Sequence, residues 1–258
     1  MKKLTLLFTV AMALLSHTVR AQSDSNLFNH LGGGIGVGLD GIGFELATPV
    51  TKFLAVRAGM SFLPRFKYSE DLDVNDNATT TDKVPVEGKL TKTDFKLLVD
   101  FYPFHFSALH ITAGAFVGGK KLINAYNTKA FINDPADYGT VGIKLGDYQF
   151  TSDEQGNVEA NIEVASFKPY LGIGFGRAVP MRTRISVAFD LGVQFWGSPK
   201  VYSWSRDKMK TKGEAGWLQY SELTKNDVDD KSGKKALDII SKISVWPVLN
   251  IRLTGRFF

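Results

Sequence analysis

The stretch ISVWPVLNIRLTGRFF, residues 243–258 at the end of the chain, decides the fold. Every second residue from Ile243 to Leu253 is apolar, and charge falls only on alternate positions, at Arg252 and Arg256. Alternation with a period of two is typical of a β-strand whose two faces meet different surroundings. We therefore interpret this run as a strand with one apolar and one polar face.

Seven further runs share this alternation, and much of the chain's glycine lies in such runs, as in LGGGIGVGL (31–39) and LHITAGAFVG (109–118). Glycine disfavours helices, so these runs predict β-sheet. We name the apolar positions the outward phase, and none of them is charged. Its members are Leu31, Ile35, Val37, Leu39, Ile42, Phe44, Leu46, Leu54, Val56, Ala58, Met60, Phe62, Phe95, Leu97, Val99, Phe101, Leu109, Ile111, Ala113, Ala115, Val117, Phe167, Pro169, Leu171, Ile173, Phe175, Ile185, Val187, Phe189, Leu191, Val193, Phe195, Ile243, Val245, Pro247, Leu249, Ile251, Leu253 and Phe257.

This phase could form the core of a soluble sandwich or face lipid in an outer-membrane barrel. Three observations favour lipid. The opposite phase mixes glycines with isolated charges, which suits the narrow lumen of an eight-stranded barrel better than a face in water. Connections also alternate in length, as they do in such barrels. The short ones lie near residues 49–52, 103–108 and 177–183, and the long polar ones at 67–93, 119–166 and 197–241.

The third observation is that aromatic residues gather at the ends of the runs, as in the two interfacial girdles of membrane barrels. They are Phe53, Tyr102, Phe104 and Phe106 at the short turns, and Phe62, Phe66, Tyr68, Trp196 and Trp246 at the other end. We therefore predict an all-β fold, an eight-stranded antiparallel transmembrane β-barrel. Its strands form a meander with short periplasmic turns and long extracellular loops.

The number of strands depends on LDGI, residues 39–42. Asp40-Gly41 suits a two-residue type I′ turn, which would pair Leu39 with Ile42 and Val37 with Phe44. A bulge at Gly41 within one long strand also shifts the alternation, but it would leave seven strands. We favour the hairpin, because eight strands keep both ends of the chain in the periplasm.

The start of the chain predicts export. Two lysines precede the apolar run from Leu4 to Leu15, and Val19 and Ala21 supply the small-residue spacing before a cleavage site. We therefore expect a signal peptide at 1–21 and a barrel domain at 22–258. Without Lys2, Lys3 and Arg20, the 31 basic residues fall to 28 against 26 acidic ones, so we expect no nucleic-acid binding. The chain has no cysteine, which excludes a disulfide scaffold and a lipoprotein anchor.

The terminal phenylalanine after an alternating run resembles the signature that the outer-membrane assembly machinery reads. The phrases DGIGFELATPVTKFLAVRAGMSF (40–62), VDFYPF (99–104) and HITAGAFVGG (110–119) are similar to those of uncharacterised outer-membrane β-barrel proteins of Bacteroidota. These proteins broadly resemble the OmpA, OmpX and OmpW barrels. The resemblance covers the strands and implies architecture more than activity. The outward phase here passes through Phe257, one residue before the usual terminal position.

Charged residues of the inward phase are the candidate site. They are Glu45, Arg57, Lys96, Asp100, Lys168, Asp190 and Arg252. Glu45 and Arg57 lie on runs joined by one short turn, so they can face each other across neighbouring strands. Buried charges need partners, so this lumen network fits a structural plug, and we favour that role over a gate that exchanges ion pairs.

Other patterns give no site. GVGLDG (36–41) matches a dinucleotide-binding string, but no helix follows it. The calcium-loop-like string 71–82 has Asp76 where glycine is needed. The mature histidines lack metal-ligand spacing, and Ser107 with His110 lies at the short-turn end, away from outer-leaflet substrates. We expect no catalytic residue, no metal and no cofactor.

These observations predict a non-enzymatic outer-membrane barrel that anchors surface loops for envelope integrity or surface interaction. The alternative is a narrow channel or an OmpW-like transporter of small apolar molecules; a secreted ligand-binding barrel leaves the glycine-rich phase unexplained. We expect outer-membrane lipid, lipopolysaccharide and the assembly machinery as partners, and a monomer. The lysine-rich segment 200–242 carries aromatic residues and a predicted amphipathic helix at 234–242, and it would rest on headgroups or bind a partner.

Overall fold

The computed structural model describes residues 30–73, 83–104, 107–145, 148–181, 183–207, 209–228 and 231–257. The predicted signal peptide (1–21), His105, Phe258 and most of the 71–82 string lie outside these residues. The division of the chain at residue 21 therefore stays a prediction. In the described ranges, no helix has the length and apolar character to cross a bilayer.

Strands dominate the structure. In chain order they are β1 (Gly32–Gly38), β2 (Gly41–Pro49), β3 (Leu54–Asp73), β4 (Lys83–Phe101), β5 (Leu109–Gly118), β6 (Lys121–Asn127), β7 (Gly142–Leu145), β8 (Tyr148–Thr151), β9 (Glu159–Glu163), β10 (Phe167–Phe175), β11 (Ile185–Phe195), β12 (Lys200–Arg206), β13 (Leu218–Glu222) and β14 (Val245–Arg256). A short 3-10 helix spans Pro135–Asp137, and α1 spans Lys231–Lys242.

Eight of these strands close a barrel. Antiparallel neighbours follow the order β1, β2, β3, β4, β5, β10, β11, β14 and back to β1. The sequence prediction of an eight-stranded antiparallel barrel is confirmed. Its closing strand is the terminal run, in which Ile35 of β1 pairs with Leu253 of β14, so the barrel has no free edge.

The first hairpin forms, but its register differs from the prediction. Leu39 and Asp40 make the turn, Gly38 pairs with Gly41, and Val37 pairs with Ile42. The turn was expected one residue later, at Asp40-Gly41. Gly41 instead is the first residue after the turn and begins β2. Its φ of +96° is a conformation that glycine adopts readily and other residues rarely do.

The outward phase faces away from the barrel, and we call these residues the belt. Phe95, Leu171 and Leu253 are 64%, 55% and 47% exposed, whereas Lys96 and Arg252, the neighbours of Phe95 and Leu253 in the sequence, are 5% and 1% exposed. On β11 the belt spans all 11 residues from Ile185 to Phe195, about 33 Å along the strand at ~3.3 Å per residue. A strand tilt of about 40° reduces this to ~25 Å along the barrel axis, the usual height of a membrane barrel's apolar band.

The predicted short connections are short, and they define the short-turn end of the barrel. The predicted long loops, however, are largely strands at the opposite, long-loop end. Both β3 and β4 continue well past the belt, and β4, β6, β9, β12 and β13 pair in that order. We call this five-stranded part the side sheet. The predicted helix at 234–242 is confirmed within α1.

The inner face of the side sheet has its own small core. Val84, Phe131, Val141, Ile143 and Val158 are buried there, next to the β7–β8 hairpin. The sequence pattern predicts polar loops for these segments, because their strands are short and lie outside the belt pattern. The core makes the long-loop end a folded layer above the barrel.

Two aromatic residues expected in the interfacial girdles are buried inside. Tyr102 is 2% exposed and Trp196 is 1% exposed. Each follows an outward residue, Phe101 and Phe195, so each belongs to the inward phase. The girdle prediction is wrong for both, and they close the two ends of the lumen instead.

Candidate functional site: the charged lumen

A charged layer crosses the middle of the barrel and centres on Arg57 of β3. The guanidinium donates to Asp100 Oδ1 at 2.8 Å and lies 3.4 Å from carboxylate oxygens of both Glu45 and Asp190. It also donates to Thr112 Oγ1 at 3.3 Å. These partners come from β2, β4, β11 and β5, so one side chain ties together strands on several sides of the barrel.

Arg252 of β14 is the second centre of this layer. It forms ion pairs with Glu45 and with Asp190. Lys96 Nζ lies 3.1 Å from Glu45, and His110 Nε2 lies 3.1 Å from Asp190. Thus six of the seven candidate residues, all except Lys168, form one connected network.

Lys168 belongs to a separate cluster nearer the long-loop end. Its Nζ donates to Asp94 Oδ1 and to the Gly118 carbonyl, both at 2.7 Å. Lys92 lies 3.2 Å from Asp94 and donates to Gln194 Oε1 at 2.8 Å. Asp94 and Lys92 are not among the candidate residues predicted from the sequence. Both continue the inward phase of β4, and extending that phase beyond the belt would have found them.

Apolar side chains fill the lumen on either side of the charged layer. On the long-loop side, Leu98, Phe116, Tyr170 and Val248 pack together from four different strands. Above them Trp196 packs with Leu122 and Val164. Large side chains therefore succeed one another along the axis toward the long-loop end.

The connection between β10 and β11 closes the short-turn end. Ala178 and Val179 are buried there with Ala47, Ala55 and Tyr102. The Tyr102 hydroxyl accepts a hydrogen bond from the Ala178 amide at 2.9 Å, and the Arg177 guanidinium lies 4.9 Å from the Tyr102 ring centre. This turn folds into the mouth of the barrel and is held there.

Acidic and basic side chains in the lumen are equal in number, and both carboxyl oxygens of Asp40 lack a hydrogen-bond partner among the described residues. Among the described residues, five buried carboxylates face five buried lysines and arginines inside the barrel, His110 aside. The carboxylates are Asp40, Glu45, Asp94, Asp100 and Asp190, and the cations are Arg57, Lys92, Lys96, Lys168 and Arg252. An internal cavity beside Asp40, Arg57 and Asn250 measures about 10 Å³, the space of roughly one water molecule. The described side chains therefore pack the barrel interior as a charge-balanced plug.

Catalytic geometry does not form at Ser107 and His110. The His110 ring contacts the Ala108 carbonyl and Asp190, and Ser107 Oγ accepts from the Leu109 amide at 3.0 Å. No cluster of three possible metal ligands occurs in the described ranges. The charged side chains instead link the strands of the barrel through buried ion pairs.

No family model matches the chain, and no curated protein gives a significant match. Solved structures do match. CarO2 of Acinetobacter baumannii is 18% identical over 91% of this chain and 100% of its own, with a TM-score of 0.48. CarO of the same species is 18% identical over 90% and 99%, with a TM-score of 0.45. A major outer membrane protein of Thermus thermophilus is 15% identical over 88% and 99%, with a TM-score of 0.40.

Proposed function

We propose that this protein is an integral outer-membrane β-barrel without enzymatic activity. The observation that carries the proposal is the belt, a continuous ring of exposed apolar side chains with no charge. A lysine or arginine at the midplane of such a ring costs ~2–4 kcal/mol in lipid. In water, a patch beyond a few hundred Å² is an aggregation hazard. Lipid is the environment in which this surface is stable.

The barrel serves as an anchor in this proposal. Paired charges and aromatic rings fill its lumen, and the side sheet projects from its long-loop end. A solid barrel holds that sheet at a fixed height above the membrane, where it contributes to envelope integrity or surface interaction. We further propose that the chain acts as a monomer and reaches the membrane through a signal peptide and the assembly machinery.

Cell fractionation combined with heat-modifiable gel migration tests the membrane assignment. We expect the protein in the outer-membrane fraction, with a faster band in unheated samples because a closed barrel resists detergent unfolding. Recovery from the soluble periplasm, with one band at all temperatures, would reject the proposal.

Planar-bilayer conductance separates the anchor from the alternative, a narrow channel or a transporter. The filled lumen predicts no single-channel steps for the wild type or for Glu45→Ala. Leu97→Ala serves as a control that changes the belt without touching the lumen. Steps in the wild type that change with Glu45→Ala and not with Leu97→Ala would favour the channel.

A further inference from the structure

The outer face of the side sheet continues the surface of the belt. Strand β4 belongs to both the barrel and the sheet, and its outward phase runs from Phe95 through Thr93 and Thr91 to Lys89 and Glu87. The other strands of the side sheet also join barrel strands through connections of a few residues: β6 begins just after β5, β9 ends just before β10, and β12 begins just after β11. A lipid whose acyl chains pack against the belt therefore places its head group next to this face.

Three lysines meet at the lower edge of this face. Lys121 and Lys200 both pair in register with Glu163, and Lys120 Nζ lies 2.8 Å from the Glu163 carboxylate. The three side chains are 63%, 58% and 52% exposed for Lys120, Lys121 and Lys200, whereas Glu163 is 9% exposed. Each lysine has a carboxylate beside it, since Lys121 Nζ also lies 3.9 Å from Glu159 and Lys200 Nζ lies 2.6 Å from Glu222, but the lysine side chains remain more than half exposed.

These lysines stand at the height of the lipid head groups. Lys121 of β6 lies four residues after Val117 of β5, and Glu163 of β9 lies four residues before Phe167 of β10; Val117 and Phe167 are the belt residues nearest the long-loop end on β5 and β10. Four residues correspond to about 13 Å along a strand and roughly 10 Å along the axis at a tilt of ~40°. A bilayer's polar layer is on the order of 5–8 Å thick on each side, and a lysine side chain reaches back into it.

Aromatic rings and amide groups lie directly above the lysines. Tyr202 and Tyr220 stack with ring centres 6.2 Å apart, and Trp204 meets Tyr220 edge to face at 5.4 Å. Lys120 Nζ lies 6.0 Å from the Tyr202 ring centre, so the cationic and aromatic groups are contiguous. All three rings are partly exposed.

Planar polar groups flank these rings. Asn124 and Glu159 are partly exposed there, and Asn124 donates to Glu159 Oε1 at 2.7 Å and to Oδ1 of the buried Asn161, which contacts the Tyr220 hydroxyl. Aromatic faces cover the apolar side of a sugar ring, and amide and carboxylate groups pair with its hydroxyls. Rings beside such groups suit a saccharide, whereas the lysines below suit phosphate.

We propose that the outer face of the side sheet binds a phosphorylated glycolipid of the outer leaflet. Its acyl chains lie on the belt, its phosphates contact Lys120, Lys121 and Lys200, and its saccharide packs on Tyr202, Trp204 and Tyr220. This inference rests on the proposed membrane location and adds the partner and the residues that bind it. Hydrogen bonds to Glu163 and Glu222 raise the pKa of Lys120 and Lys200, so both remain cationic near neutral pH.

The test uses the full chain in phosphatidylcholine vesicles, with insertion first checked by heat-modifiable migration. Affinity is then measured for three probes: bisphosphorylated lipid A, dephosphorylated lipid A, and rough lipopolysaccharide that carries a core saccharide. We expect lipopolysaccharide to bind most tightly and dephosphorylated lipid A most weakly. A chain that fails to insert would refute the membrane location; an inserted chain that does not distinguish the probes would refute only the glycolipid site.

Two charge-matched variants locate the phosphate contacts. Each lysine near a charged membrane surface is worth about fivefold in affinity, so replacing Lys120, Lys121 and Lys200 together by alanine should weaken binding on the order of 100-fold. The control replaces the exposed Lys129, Lys210 and Lys212, which follow the ends of β6 and β12 farthest from the three lysines, and should change binding by less than about twofold. Equal losses in both triple variants would overturn the site.

Trp204→Leu tests the saccharide contact separately. It should keep the affinity for lipid A and lose the preference for rough lipopolysaccharide, because only the longer saccharide reaches the rings. An unchanged preference in an inserted barrel would overturn the saccharide contact. The triple lysine variant should retain that preference while binding both probes more weakly.

Discussion

Replacing Arg57 by methionine should destabilise the barrel, because Arg57 lies at the centre of the charged layer. The substitution keeps much of the side-chain length and removes the cation from among three carboxylates. Glu45 and Asp190 keep their ion pairs with Arg252. Asp100 keeps only hydrogen bonds from Thr112 at 2.7 Å and from Tyr102 at 3.5 Å, so its charge is left without a cation.

The magnitude follows from that orphaned charge. Removing one partner of a buried ion pair costs ~3–5 kcal/mol, and we expect Arg57→Met to lower the free energy of unfolding by this amount. The double variant Arg57→Met with Asp100→Asn restores the balance between buried cations and carboxylates. It should recover more than half of the loss, as a large coupling energy in a double-mutant cycle.

Urea unfolding from phospholipid vesicles, followed by tryptophan fluorescence and by heat-modifiable migration, measures both values. The control Arg206→Met removes an exposed arginine of β12 and should stay within about 0.5 kcal/mol of the wild type. An Arg57→Met loss below about 1 kcal/mol would refute the reasoning. So would a double variant that loses the sum of the two single losses.

Two further predictions concern close packing and pH. A Cβ on Gly114 would lie 2.2 Å from the Leu97 carbonyl oxygen, so Gly114→Ala should destabilise the barrel by ~1–3 kcal/mol in the same assay, whereas Gly88→Ala, with 3.7 Å of room, should change it little. Hydrogen bonds and ion pairs with Lys225 and Lys242 lower the pKa of Asp238 from 3.8 to about 2. Their stabilisation of α1 is complete above pH 3.8 and is lost as the pH falls toward 2. Asp238→Asn should therefore speed hydrogen exchange in α1 at about pH 7 and have a much smaller effect at about pH 2, where about half of the Asp238 carboxyl groups are protonated; equal effects at both would contradict this origin.

The barrel could be predicted from sequence because lipid imposes one strict condition. Every outward residue must be uncharged, and a one-residue slip would place Arg252 or Lys96 in hydrocarbon. The condition holds through all eight strands, so phase, strand number and closure follow from it. It also places the charges of the candidate site inside, and the structure then shows which of them meet.

The features that could not be predicted from the sequence lie outside the belt, where outward residues need not be uncharged. Gly38 and Gly41 leave the first turn free to shift by one residue, since neither side of the turn carries a large side chain. The side sheet lies above the belt, where its short strands alternate between a small apolar core and water. The alternation of each run already predicts that Tyr102 and Trp196 point inward, since each follows an outward residue. Their positions at the ends of the runs favoured an interfacial role instead.

The lumen network shows a related limit. The inward phase identifies Lys168 and Arg57 alike, yet Lys168 pairs with Asp94 in a separate cluster. The difference arises from the relative heights of the strands, and register is not visible in one sequence. Pairing partners therefore required the three-dimensional structure.

Lipid contact of the belt is the central claim, and site-specific fluorescence quenching tests it most directly. The chain has no cysteine, so single cysteines at Leu191 in the belt and at Met209, which is 98% exposed at the long-loop end, can each carry one fluorophore. In vesicles, spin labels on acyl chains should quench the label at 191, and aqueous iodide should quench the label at 209. Iodide quenching at 191 without quenching by the acyl-chain labels would contradict the account.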